Sequence, residues 1–198
     1  MRSRARAALL AALLAAPGAA QGNVVERILA VVDGRPVLLS EVRVLERLRG
    51  LERNAAVDAL IDERLMFREA SRLPEAVVSA EEEELAYRDL AARVPKGAGT
   101  TEEELRRLAR RQTAILKYID FRFRPQVRVD EAEVRAVWEQ ERAARPDTQA
   151  FEDDAPRVRA RLEGAELDQR IEQWVKELRA GAEIRYNSSP PSPSPPPS

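Results

Sequence analysis

The chain has 198 residues, no cysteine and no histidine, and 33 Lys+Arg against 34 Asp+Glu for a formal charge of −1. The two absences exclude disulfides, thiol nucleophiles, imidazole bases and the common zinc and copper sites built from His and Cys. So even a charge balance leaves nucleic acid without the clustered positive field on which phosphate binding rests.

Residues 1–20 open with Arg2, Arg4 and Arg6, continue as an Ala/Leu run from Ala7 to Ala16, and end in small residues at Gly18 and Ala20. A basic head, an apolar middle and a small-residue exit form a secretory signal peptide cleaved before Gln21. The apolar run falls short of the ~20 residues that a spanning helix needs. Retention as an N-terminal anchor is the alternative to cleavage. No cysteine follows the leader, which excludes a lipid-modified mature N-terminus. Cleavage takes three arginines away, so the formal charge moves from −1 to about −4.

The segment 24–41, VVERILAVVDGRPVLLSE, crowds apolar residues on both sides of Asp33-Gly34. That dipeptide suits a type I′ turn, whose two central residues need positive φ, so a β-hairpin over about 27–32 and 35–39 is expected. A two-stranded ribbon is marginal in water and needs a third strand or a helical cover. Ser40 then reads as the cap of the first helix.

That helix is expected over 41–49, with Val42, Leu45 and Leu48 on one face and Gly50 as its end. A second runs from an Asn54 cap to Leu73, before Pro74. Its stripe of Val57, Leu60, Ile61 and Leu65 is widened by Met66 and Phe67, a breadth that implies burial on two sides. Ser79 with Glu82 and Thr101 with Glu104 form capping boxes for the third and fourth helices, separated by a loop at 95–99. The fourth, 102–122, carries Leu105, Leu108, Ile115, Ile119 and Phe123 with Gln112 interrupting, and its length marks it as central. Asp130 with Glu133 caps a fifth helix bearing Val134, Val137 and Trp138.

The last helix, about 152–180, begins among acids that suit the helix dipole, with Pro156 taken as a first-turn proline. Its stripe leads through Ile171, Trp174 and Leu178 to Gly181, read as a left-handed terminator. Ala182, Ile184 and Tyr186 then alternate with Glu183 and Arg185 as a strand, 182–186, that supplies the third strand of the sheet. The fold class is therefore mainly α, a multi-helix domain with a small sheet formed by an N-terminal hairpin and a C-terminal strand. Residues 188–198, SSPPSPSPPPS, cannot build a core and read as a solvated polyproline-like tail, with docking to a partner or the cell wall as the alternative.

No phosphate-binding glycine loop and no nucleophile elbow occur, so neither nucleotide nor another cofactor nor a metal is expected. The acidic runs 81–84 and 102–104 fall at helix starts, where solvated faces explain them. Together these readings describe a protein that is not an enzyme.

Four segments carry a resemblance to a known family: ERILAVVDGRPVLLSEV (26–42), ALIDERLMFREASRL (59–73), KYIDFRFRPQVRVDEAEVRAVWEQ (117–140) and LDQRIEQWVKELRAGAEIRY (167–186). In this order they resemble the SurA family of periplasmic chaperones, which look after unfolded outer-membrane proteins of Gram-negative bacteria. The match lies in hydrophobic pattern and polar anchors, covers most of 24–186, and implies a SurA-like chaperone domain over 21–187 in the periplasm. Family members carry one or two parvulin-type prolyl isomerase domains between the third segment and the final helix. Here only 141–150 fill that place, a loop's length, and the histidines of a parvulin site are missing. The resemblance thus implies the chaperone module without isomerase activity.

Such a module implies a holdase that binds unfolded outer-membrane or exported polypeptides in an apolar helical groove, with outer-membrane assembly machinery as a further partner. Flexible and flat side chains suit such a groove. Met66, Phe67, Tyr87, Tyr118, Phe121, Phe123 and Trp138 are the candidates, each with ordinary core packing as its alternative. For Trp138, as for Trp174, bulk favours a core anchor. The other reading is a non-catalytic scaffold or assembly subunit that docks one envelope protein, such as an isomerase supplied in trans.

Overall fold

The computed structural model describes residues 26–95, 99–144 and 150–187. The expected signal peptide, the Pro/Ser tail and parts of two loops lie outside the described residues. The elements, in chain order, are β1 (Ile28–Val32), β2 (Arg35–Leu38), α1 (Leu39–Arg49), α2 (Arg53–Ala70), α3 (Ala80–Arg93), α4 (Glu102–Arg122), α5 (Glu131–Ala144), α6 (Phe151–Ala180) and β3 (Ile184–Tyr186). Single 3₁₀ turns at Pro74–Ala76 and Arg124–Gln126 precede α3 and follow α4.

The sheet has the order β2-β1-β3, antiparallel throughout. Asp33 and Gly34 both take positive φ, 48° and 77°, as a type I′ turn requires. The first strand pair turns Ala30, Val32 and Val37 inward, and a bulge between Ile28 and Ala30 shifts its register. β3 pairs with β1, Val31 opposite Arg185, so the hairpin's third strand comes from the chain's end. On the opposite edge Pro36 offers no N–H, and its carbonyl accepts from Arg64 Nη1 at 2.6 Å. That edge is closed to further strand pairing.

Asp33 joins three elements. Its N–H donates to the Glu183 carbonyl at 2.9 Å, its Oδ1 accepts from the Glu183 N–H at 2.9 Å, and its Oδ2 accepts from Arg68 of α2. A second tie lies at the far end of β3: the Tyr186 hydroxyl donates to Asp58 Oδ1 at 2.6 Å. Arg179 of α6 reaches Asp62, the Asp58 carbonyl and Asp58 Oδ1.

The helix at the centre is α2, not α4. It packs against α1, α4, α6 and both hairpin strands, because Ala56, Leu60, Ile61 and Leu65 bury completely on a face wide enough for several neighbours. α4 packs against α2 and α3 and leaves Leu116 on its solvent side. Glu63 of α2 is also buried, at 3 % exposure, and its carboxylate is held by Arg111 Nε (2.9 Å), Gln112 Nε2 (3.3 Å) and Arg49 (3.5 Å). Gln112 interrupts the apolar stripe of α4 because it faces that buried charge, which would be costly without partners.

α6 joins two cores. At about 1.5 Å per residue its 30 residues span roughly 45 Å. Its C-terminal half sets Trp174, Ile171 and Leu178 against Ile115 and Ile119 of α4 and Met66 and Phe67 of α2. Its N-terminal half packs Val158 and Leu162 against Val134, Val137 and Trp138 of α5, with Val129 and Phe151 closing that second cluster.

Several local expectations are corrected. Ser40 lies inside α1, which begins at Leu39 because the strand runs straight into the helix. Glu41 accepts from the Leu38 N–H, and the Ser40 N–H goes to Glu26. α2 starts at Arg53 after Glu52 rather than after Asn54, and ends at Ala70, the backbone N–H of Ser71 closing the last turn on the Phe67 carbonyl. Pro156 sits in the second turn of α6, since the helix starts at Phe151. Gly181 has φ −89°, so α6 ends right-handed. The last strand is shorter than expected, Ile184–Tyr186. Both capping boxes are present as read: Ser79 Oγ accepts from Glu82 N–H, and Thr101 Oγ1 from Glu104 N–H.

Three outcomes are expected from this architecture. Ending the chain before Leu167 removes Trp174, Leu178 and β3 and abolishes cooperative thermal unfolding, whereas ending it after Asn187 leaves the melting temperature unchanged. Asp33→Ala lowers the unfolding free energy by about 2–4 kcal/mol in urea titrations, through lost charged hydrogen bonds and an unfavourable φ, while Asp33→Asn costs less than half as much. Lys117 Nζ donates to Glu82 at 2.8 Å and, with the Ser79 N–H, holds that carboxyl down from 4.5 to about 2. A depressed carboxyl contributes stability above its unfolded value and loses it as pH falls. Glu82→Gln therefore flattens the stability profile between about pH 5 and pH 2, read by urea midpoints at each pH.

Candidate client-binding surface

The seven candidate side chains do not form one surface. Met66, Phe67, Tyr118 and Phe123 converge where α2, α4 and α6 meet, all partly buried. There Tyr118 stacks on Trp174 at 4.8 Å between centroids and 11° between planes. Phe123 meets Tyr118 edge-on at 6.1 Å and Trp174 at 5.2 Å. Aromatic contacts of this kind add about 0.5–1.5 kcal/mol each beyond burial. Trp174, 8 % exposed, is the centre of the group.

Tyr87 stands apart on α3, with the guanidinium of Arg106 4.2 Å above its ring. Trp138 is 6 % exposed inside the α5–α6 core, edge-on to Phe151 at 5.5 Å. That is the core-anchor alternative for this ring: it packs in one cluster with Val134 and Val158. Phe121 is 51 % exposed near the end of α4.

Phe121 continues a stripe. Ala114, Lys117 and Phe121 are spaced by three and four along α4, which places them on one face. Ala114 packs with Ala70 and Ala76, and Lys117 Nζ donates to the Val77 carbonyl at 2.7 Å. Val77 itself is 67 % exposed. It lines a cavity of about 150 Å³ together with Phe67, Leu73, Val78 and Ala114, with Ser71 and Arg110 as the polar part of the boundary. Two exposed apolar side chains, Val77 at the cavity and Phe121 further along α4, thus lie on one side of the molecule with the Lys117–Glu82 ion pair between them, and half-buried Phe67 and Tyr118 pack in the cluster beside the cavity.

Phe67 also borders a larger cavity of about 590 Å³ on the hairpin side. Val32, Pro36 and Leu65 give it apolar walls, and Arg35, Arg64, Arg68 and Arg111 its rim. Phe67 and Ser71 thus border both hollows. Among the described residues no three His, Cys, Asp or Glu side chains gather as a metal-holding group. No described helix is long and apolar enough to cross a membrane.

Val77 and the arginine rim escaped sequence reasoning. Val77 sits in LPEAVV, 73–78, where three apolar residues interrupt a polar connection, and that was the available signal. The four arginines come from β2, α2 and α4, and nothing in their spacing brings them together.

Trp174→Ala is expected to cost about 3–5 kcal/mol and to unfold the domain near body temperature. Trp138→Ala is expected to expose only the α5–α6 pair, read as lost amide protection confined to 131–162.

Compared with known proteins, the chain matches no family model and no curated protein.

Proposed function

We propose that this protein is a holdase for unfolded outer-membrane or exported polypeptides, acting in the periplasm without nucleotide and without isomerase activity. The observation that carries the reading is the pair of exposed apolar side chains Val77 and Phe121, set on either side of the Lys117–Glu82 ion pair, with half-buried Phe67 and Tyr118 close to the cavity under Val77. An unfolded outer-membrane strand alternates apolar and polar side chains. Separate apolar sites beside a cavity fit such a chain: they accept every second side chain and ask for no fixed sequence. Met66 and Phe67 can repack as clients differ. The resemblance of four segments to the SurA family supports the same reading, and the leader at 1–20 supports export.

The test is aggregation of several unrelated urea-unfolded outer-membrane proteins, followed by light scattering on dilution. Suppression at near-stoichiometric protein is expected, with peptides of alternating aromatic residues binding at about micromolar Kd. Phe121→Ser is expected to weaken peptide binding about fivefold, the effect of ~1 kcal/mol, with the melting temperature unchanged. No suppression of any client, alongside one tight stoichiometric partner in pull-downs, overturns the reading in favour of a dedicated scaffold.

A further inference from the structure

We infer that the 590 Å³ cavity beside the hairpin is a binding site for the free C-terminal carboxylate of a polypeptide whose last side chain is apolar. The inference rests on the holdase reading for the class of ligand, and on the cavity for its chemistry.

Four guanidiniums border the cavity against two carboxylates, those of Asp33 and Glu41. Their donors are unequally spent. Arg64 gives Nη1 to the Pro36 carbonyl and Nη2 to Glu41, and Arg68 gives Nη1 to Asp33 and Nε to Glu69. Arg111 gives only Nε, to Glu63, although its side chain is 18 % exposed. Among the described residues neither of its Nη groups has an acceptor. The Arg35 guanidinium, on the cavity rim, makes no hydrogen bond or ion pair among the described residues. Two guanidiniums with unspent donors thus line one hollow, and such a group can take a carboxylate through paired N–H bonds.

An inorganic anion fits poorly here. The volume lies within the ~300–1,000 Å³ of ordinary ligand pockets, and a bare ion would leave the exposed Pro36 ring and half-buried Phe67 uncovered. The ligand must bring an apolar body with its negative group. The rim also holds acceptors, the Asp33 and Glu41 carboxylates and the second lone pair of the Pro36 carbonyl. Peptide N–H groups can donate to these, whereas the chain of a fatty acid has nothing to donate. A polypeptide end meets all three demands at once: carboxylate, apolar side chain, amide donors. Phe67 shared between this cavity and the smaller one lets the end of a client sit here while the preceding residues run on toward Phe121.

The experiment uses one labelled seven-residue peptide of alternating threonine and phenylalanine, ending in phenylalanine, prepared as the free acid and as the carboxamide. Fluorescence anisotropy with the full protein is expected to show the acid bound about tenfold or more tightly, as for hydrogen bonds to a charged group. In Arg35→Gln, an exposed position with no partner to lose, and in Arg111→Lys, which keeps the charge on Glu63 but removes the fork, that ratio is expected to shrink at least threefold. Circular dichroism checks that both variants remain folded. Equal binding of acid and amide overturns the inference, as does a preference that both variants keep. Decanoate displacing the acid peptide at equal or lower concentration overturns the choice of occupant. Equal binding of the two peptides with aggregation still suppressed sinks this inference alone, whereas loss of all peptide binding and all suppression sinks the holdase reading.

Discussion

Everything in this fold depends on a meeting between Asp33, at the tip of the first hairpin, and Glu183, just before the last strand. They are 150 positions apart and exchange two hydrogen bonds. Closing a loop of that length costs on the order of 4–5 kcal/mol of chain entropy plus a constant. Two hydrogen bonds, at about 1 kcal/mol each, do not offset that cost. Burial of Trp174, Leu178 and Ile184 on the same returning segment does most of the work, and the hydrogen bonds set the register. The long helix that carries Trp174 is therefore a closure device, and α2 is the surface on which it closes.

The centre of α2 combines two demands that usually conflict. Ala56, Leu60, Ile61 and Leu65 make a dry interior, while Glu63 brings a charge into it. Arg111 and Gln112 from α4 and Arg49 from α1 satisfy that charge, so three helices converge on one carboxylate. A buried charge with several partners adds little net stability. What it supplies here is a directional contact among otherwise greasy helices, because sliding α4 by one turn would strand Glu63.

The proposed surface follows from the same division of labour. Where α2, α4 and α6 meet, Tyr118, Phe123 and Trp174 pack ring on ring, and Val77 and Phe121 nearby stay exposed. Phe67 and Tyr118 belong to both regions, each partly buried. A holdase needs such border residues, because full burial would deny the client and full exposure would invite self-association. The α5–α6 pair, by contrast, spends its aromatics, Trp138 and Phe151, on its own core.

Local chemistry was enough to read most elements from the residues alone. Positive φ at Asp33-Gly34, the capping boxes at Ser79 and Thr101, and the 3.6-residue stripes each arise within a few positions, so the six helices, the hairpin and even the returning strand were legible. Helix starts without a side-chain cap, at Leu39 and Arg53, were not, since there the hydrogen-bond partner or its absence depends on the incoming chain. Among the seven candidate residues, four were placed together and Trp138 was not, because a flat apolar side chain looks alike in a core and in a groove. Tertiary structure alone decided which helix lies at the centre, why Gln112 breaks a stripe, and that Arg35, Arg64, Arg68 and Arg111 share one cavity. The physical reason is common to all three: periodicity reports which face of an element is apolar, but not what lies opposite it.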